Sequence, residues 1–367
     1  MTRYRTLYQT LVLLAVLATV NAFSLAGHAA SGTKILLLLH GMNSSPTTWN
    51  SFVASQFSNS NNKGILRGGV LVNTAPKPNA KGVYCYAVEF GFYDKTDGRT
   101  GLEGVTANNA TLPTAGDFTD FSLLGKEVDN AISYLLTTFP GAQITLLGHS
   151  RGGIAARSYL QNPDSAAPKT SVISLLTSGA PHKGSHLGRM YSWLSTHPRS
   201  DTANKNDWSI VDKLVSQFSF DVRRPVINDF ADNGSAISTL NSGIATLPAP
   251  LAYGNLRYTV TDLGYLGRKY GISYSVFLGI NIPFFIYIPP LSTAAKSYVL
   301  VNKKPSDYKG DGTVEGDSQN LLNIAGVPAF SKTYDMTFTK SVYHTEETAT
   351  GQIADMTTAL HSLTGWW

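Results

Sequence analysis

The 367-residue sequence holds a single cysteine, Cys85, so no intrachain disulfide can form and the fold must rely on core packing. Cys85 lies in the apolar stretch Val83 to Phe90 with no Cys/His motif around it, which reads as a buried structural thiol rather than a nucleophile. Charge is also scarce. Only 14% of residues are charged, and the formal net charge is +5. Arg3 and Arg5 supply part of it, and no acid precedes residue 30, so the rest of the chain carries about +3, too little to imply nucleic acid. No pair of histidines stands in a metal-ligand context, so no metal or other cofactor is expected. Internal repeats and linker-like Pro/Ser tracts are missing, which favours one domain with insertions. The apolar run Leu11 to Val20 is too short for a comfortable membrane span, so no stable transmembrane segment is expected in the mature chain.

Against these absences stand 43% hydrophobic residues and 33 glycines, enough for a large globular core. Residues 1–30 read as a secretory signal peptide, with Arg3 and Arg5 before the apolar run and small residues after it. Cleavage after Ala22 or near Ala29 and Ala30 suits the pattern, and an uncleaved N-terminal anchor is the alternative. The expectation is export to the periplasm or the medium, leaving residues 31–367 as one domain.

Within that domain, Lys34 to Leu39 and Tyr84 to Phe90 are continuous apolar runs suited to strands buried on both faces. Phe121 to Phe139 has helical apolar spacing, with Asp120 as cap and Pro140-Gly141 as stop. Gln143 to Leu147 reads as a strand, Gly152 to Leu160 as a helix and Ser171 to Leu176 as a strand. Further on, Arg257 to Asp262 and Lys332 to Val342 read as strands and Gln352 to Leu363 as a final helix. This alternation predicts an α/β fold, a mostly parallel sheet with helices on both faces and function at the strands' C-terminal ends. The alternation lapses from Leu187 to Pro250 and again near 264–305, which predicts cap-like insertions. The second holds the bulky apolar segment Tyr274 to Leu291, either a lid or acyl-chain wall built on Phe284, Phe285 and Tyr287, or ordinary packing.

The chemistry centres on Gly148-His149-Ser150-Arg151-Gly152-Gly153. A nucleophile at a sharp strand-to-helix turn needs small neighbours, and Ser150 has Gly148 and Gly152. The helix that follows would aim backbone N–H groups at a developing oxyanion. A second donor should come from the loop after the first strand, His40-Gly41-Met42-Asn43, so the N–H groups of Met42 and Arg151 are the oxyanion-hole candidates, with His40 fixing the loop. At such elbows the acid and then the base follow the serine along the chain. Asp311, between Gly310 and Gly312, is the chosen acid and Asp262 its chief rival; Asp307 and Asp317 read as surface charges. His344, after the last strand, is the base, because His361 sits inside the terminal helix.

Four segments then make the sequence resemble the bacterial secreted lipase and esterase branch of the α/β-hydrolases, including enzymes like lecithin:cholesterol acyltransferase. They are His40-Gly41-Met42, Gly148 to Gly153, Gly179-Ala180-Pro181-His182-Lys183-Gly184-Ser185 and Gly310-Asp311-Gly312-Thr313-Val314. The resemblance implies an α/β-hydrolase with Ser150, Asp311 and His344 as triad and Met42 and Arg151 as oxyanion donors. It also implies a carboxylic-ester hydrolase acting on lipid-like or other hydrophobic esters, including those at a surface where lipid meets water. An acyltransferase, thioesterase or polyester hydrolase would use the same triad, and a non-catalytic binding module on the same scaffold is the rival from another class. Some members of that branch bind calcium near the base, but no residues here are assigned to it.

Overall fold

The computed structural model describes residues 32–42, 44–91, 120–185, 188–189, 192, 229–259, 310–339 and 342–367. The expected signal peptide, rival Asp262, Asp307, the segment Tyr274 to Leu291 and most of both expected insertions lie outside these residues. No helix among the described residues is long and apolar enough to cross a membrane.

Among the described residues the strands are β1 (Lys34–Leu39), β2 (Gly64–Arg67), β3 (Val70–Leu71), β4 (Val83–Val88), β5 (Gln143–His149), β6 (Val172–Ser178), β7 (Ala252–Thr259) and β8 (Lys332–Thr339). They form one sheet in the order β3-β2-β4-β1-β5-β6-β7-β8. Every pairing is parallel except the short β2–β3 hairpin at one edge. The chain works outward in two directions from β1, and the crevice at that reversal, outside the strands' C-terminal ends, is where an α/β sheet places its ligand.

The apolar run of β1 is buried on both sides, as a central parallel strand requires. Ile35, Leu37 and Leu39 face helices α2 (Phe121–Thr138) and α3 (Arg151–Gln161), where they pack with Leu124, Val128, Ile132, Ile154 and Tyr159. Leu36 and Leu38 face the other way, onto α1 (Asn50–Phe57) and α5 (Ile353–Thr364), with Phe52, Val53, Met356 and Leu360. Each fully buried Leu or Ile contributes about 1.5–3 kcal/mol relative to exposure, so these two apolar layers dominate the fold's stability. Cys85 belongs to the second layer, and burial pushes its thiol above the ordinary range, consistent with an inert structural residue.

The sequence-based boundaries need adjustment in places. β7 begins at Ala252, five residues before the expected Arg257, because Gly254 and Asn255 break the apolar run although both are buried. β4 ends at Val88 rather than Phe90, and β8 at Thr339 rather than Val342. Within the expected cap, α4 (Ser235–Ser242) lays Ile237 against the α2/α3 side of the core. Asp120 caps α2 as expected, accepting the Leu123 N–H at 3.0 Å.

Candidate active site

β5 runs straight into α3 through Ser150, whose φ of 54° and ψ of −125° put a non-glycine residue in a strained region. The turn closes because its glycines leave no side chains in the way. A Cβ on Gly148 would sit 2.6–2.7 Å from the Gly152 and Gly153 backbone, and one on Gly152 would overlap the carbonyl of Leu39 in β1. The Ser150 N–H is held by the Ser178 carbonyl of β6 at 2.9 Å, which fixes the strained residue at the head of two strands.

The Ser150 hydroxyl meets His344 Nε2 at 2.8 Å, and His344 Nδ1 meets Asp311 Oδ2 at 2.7 Å. The structure therefore brings together the three residues chosen from the sequence, from loops that follow β5, β7 and β8. Asp311 sits in a tight turn where its Oδ1 accepts the Thr313 and Val314 N–H groups at 2.8 and 2.7 Å, and Oδ2 also accepts from Gln319 Nε2 at 3.2 Å. Its backbone carbonyl accepts the His344 N–H at 3.0 Å, so acid and base are joined through main chain as well. Burial alone would push the Asp311 carboxyl up. The facing His344 and the hydrogen bonds it accepts outweigh that and hold it below the usual range, ionised at neutral pH.

Of the oxyanion candidates, Arg151 directly follows Ser150 and Met42 follows a glycine packed against it. Arg151 opens α3, with its side chain buried over the Phe90 ring at 5.7 Å. Met42 follows Gly41, whose missing Cβ would come within 3.1 Å of Ser150 Cβ, so this loop lies directly against the serine. His40 fixes the loop from below. Its Nδ1 bonds the Gly41 carbonyl at 2.8 Å and its Nε2 accepts the Phe90 N–H at 3.4 Å, an arrangement that requires the neutral ring. Burial, with the Arg151 charge second, lowers its pKa to about 3.

Residues passed over in the sequence also belong to this centre. His149 is buried beneath the base, its Nε2 donating to the His344 carbonyl at 2.9 Å and its ring 4.9 Å from the His344 ring. Glu347 is fully buried, with its carboxyl in side-chain hydrogen-bond contact with Asp311 and 4.0 Å from His344 Nδ1, and takes the Ser178 hydroxyl at 2.7 Å. Gln319 ties the Asp311 turn to β7, its amide oxygen accepting from the Tyr258 N–H at 3.1 Å. Glu347 lies three residues past the base, one helical turn on, and that spacing was its only sequence signal.

The other candidates among the described residues are not part of the centre. His361 lies exposed on α5, bonded to the Trp367 carbonyl. Asp317 pairs with Lys183 at 2.5 Å on the surface. His182, from the Pro181-His182-Lys183-Gly184-Ser185 loop, is buried against Thr177 and Tyr253 behind β6. Potential ligand atoms of His149, His344 and Glu347 lie within 4.8 Å of one another. The nitrogens facing Glu347 are nevertheless committed, His344 Nδ1 to Asp311 and His149 Nε2 to the His344 carbonyl. A cation there would dismantle the line to Ser150, so the cluster does not fit a resident metal.

Residues 122–216 match the family model of the PGAP1-like alpha/beta domain. No curated protein matches the chain. Among solved structures, a gene product (lin2722) from Listeria innocua shares 10% identity at a TM-score of 0.49, covering 90% of this chain and 94% of that one. The mature lipase BlEst2 of Bacillus licheniformis shares 12% at 0.49, covering 92% and 95%. EstA of Clostridium botulinum shares 12% at 0.42, covering 94% and 90%. The fold assignment follows from the chain's own topology. A parallel sheet between two helical layers, a strained serine between β5 and α3, an acid after β7 and a histidine after β8 together make the α/β-hydrolase fold.

Proposed function

We propose that the protein is a serine carboxylic-ester hydrolase of the lipase/esterase type, with Ser150 as nucleophile, His344 as general base and Asp311 as the orienting acid. The observation that carries this reading is the unbroken hydrogen-bonded line Asp311–His344–Ser150 ending on a serine held at a strained elbow. His344 Nε2 takes the proton as Ser150 Oγ attacks the ester carbonyl. Asp311 holds Nδ1–H and balances the imidazolium that forms. The oxyanion grows at the N-terminus of α3, where the Arg151 N–H and, from the β1 loop, the Met42 N–H stabilise it; one such donor is worth roughly 10²–10³ in rate. His344 returns the proton to the leaving alcohol, and a water activated the same way releases the carboxylic acid.

Lipid-like or other hydrophobic esters are the substrates this reading favours, and export behind residues 1–30 is the location. Ser150→Ala should lower kcat on a p-nitrophenyl ester by three or more orders of magnitude and abolish labelling by a fluorophosphonate. Near-normal turnover in that variant, or an unlabelled Ser150 in the folded wild type, would sink the assignment. Acyl-chain profiling with paired water and alcohol acceptors then separates an esterase from an acyltransferase, and the N-terminal mass of the exported protein tests signal cleavage.

A further inference from the structure

Two fully buried carboxyl groups, Asp311 and Glu347, stand against one imidazole. Asp311 Oδ2 is 2.7 Å from His344 Nδ1 and Glu347 Oε1 is 4.0 Å from the same nitrogen. The two Glu347 oxygens have different surroundings. Oε2 accepts the Ser178 hydroxyl at 2.7 Å, whereas no N–H or O–H of the described protein is directed at Oε1, although that atom is shut off from solvent. His149 Nε2 comes within 3.7 Å of Oε2, but its hydrogen goes to the His344 carbonyl. A buried carboxylate oxygen with no donor beside an ionised Asp311 is an expensive arrangement, and a proton on Oε1 removes the expense by creating a donor for Asp311. The site is shaped for this carboxyl. Gly179, at φ 57°, opens the Gly179 to Ser185 loop, and any Cβ there would overlap Glu347.

We propose that Glu347 is a positioning residue: as a neutral carboxylic acid it donates its Oε1 hydrogen to Asp311, fixing that carboxylate on His344 Nδ1 and sharing its charge. This rests on reading Ser150, His344 and Asp311 as a catalytic triad. The groups around Glu347 agree with the neutral form. Asp311 comes from the loop after β7 and Tyr258 from β7 itself, and Asp355 of α5 lies beyond the Tyr258 hydroxyl; His149 on β5 is neutral, and Ser178 on β6 carries no charge. Burial first, then the Asp311 charge, pushes the Glu347 carboxyl well above the ordinary carboxylate range, against a smaller opposing pull from Ser178. A neutral Glu347 that takes up part of the Asp311 charge loosens that residue's grip on the protonated base.

Glu347→Gln copies the neutral acid, with one atom to accept from Ser178 and one to donate to Asp311, whereas Glu347→Ala removes both. On a soluble ester, Glu347→Ala should lower kcat on the order of ten-fold with little change in KM, and the acid limb of the profile should move to higher pH because the Asp311 charge is no longer shared. Glu347→Gln should recover most of the lost kcat and bring the limb back. The infrared difference spectrum between the full-length wild type and Glu347→Gln at neutral pH should show a carboxylic-acid C=O band belonging to Glu347. Absence of that band overturns the proposal. So does an acid limb that moves to lower pH in both variants, the mark of an ionised Glu347, or a loss of kcat with the limb unmoved. The infrared reading needs no turnover and no Ala variant. A protein that shows the band yet neither hydrolyses esters nor takes fluorophosphonate refutes the triad reading, whereas one that does both without the band refutes only the role of Glu347.

Discussion

His149 occupies the position just before Ser150, and its chemistry there is to stay uncharged. Burial first, and the neighbouring His344 second, lower its pKa to about 3 from an ordinary 6.5. The sign of the consequence follows from linkage. Below pH 6.5 the unfolded chain binds a proton on this residue that the folded chain refuses, so the stability it contributes is full above 6.5 and drains away as pH falls toward 3. His149→Gln, which keeps a donor for the His344 carbonyl, should flatten the dependence of unfolding free energy on pH between 6 and 4 by about 1.4 kcal/mol per pH unit. Urea unfolding at several pH values would measure it, and an unchanged slope would show that His149 is protonated in the native state. Ser150, Asp311 and His344, which the fold brings together, were each readable as candidates in sequence because each is flanked by glycine or follows a readable strand. Glu347 was not legible, since its meaning depends on a glycine 168 positions earlier in the chain and on Asp311, contacts that only the folded chain makes.

At the scale of elements, α2 and α3 cross closely because Gly125 carries no side chain. A Cβ there would lie 2.9 Å from the Ser158 Cβ and carbonyl carbon and 2.6 Å from its hydroxyl. The same pair is tied by Asp129, whose carboxylate takes the Ala166 and Ala167 N–H groups beyond the end of α3 at 2.8 and 2.7 Å. α3 carries the elbow, so its seat on α2 bears on how tightly Ser150 is held. Gly125→Ala should destabilise by about 1–3 kcal/mol, overpacking outweighing the gain in helix propensity. Thermal unfolding would test this, and a raised midpoint would show that the crossing has slack. The helical spacing from Phe121 onward and the run in β1 were readable because burial imposes a period on sequence. α1 and the β2–β3 hairpin were missed: α1 mixes Ser, Asn and Gln with its buried Phe52, Val53 and Phe57, and the hairpin is too short to show alternation. β7 was half missed because its buried polar residues find partners, Asn255 reaching Asp335 on β8 at 3.2 Å.

For the whole molecule, the decisive feature is that the line from Ser150 to His344 to Asp311 is drawn from both halves of the sheet. β1, β4 and β5 with α2 and α3 contain the elbow and much of the apolar interior, whereas Asp311 and His344 follow β7 and β8, which pair in parallel across a separation of about 80 residues. Pairing at that range is slow, as is that of β1 with β5 across about 110 residues, and the line from Ser150 to Asp311 needs both to have closed. During refolding from urea, fluorescence changes from the interior should therefore precede the capacity of Ser150 to react with a fluorophosphonate. Simultaneous recovery would show that the two halves of the sheet condense together. A newly made chain would stay chemically inert until β7, β8 and the segment carrying His344 had left the ribosome and docked, so assembly of the sheet would itself serve as the timer that keeps Ser150 silent.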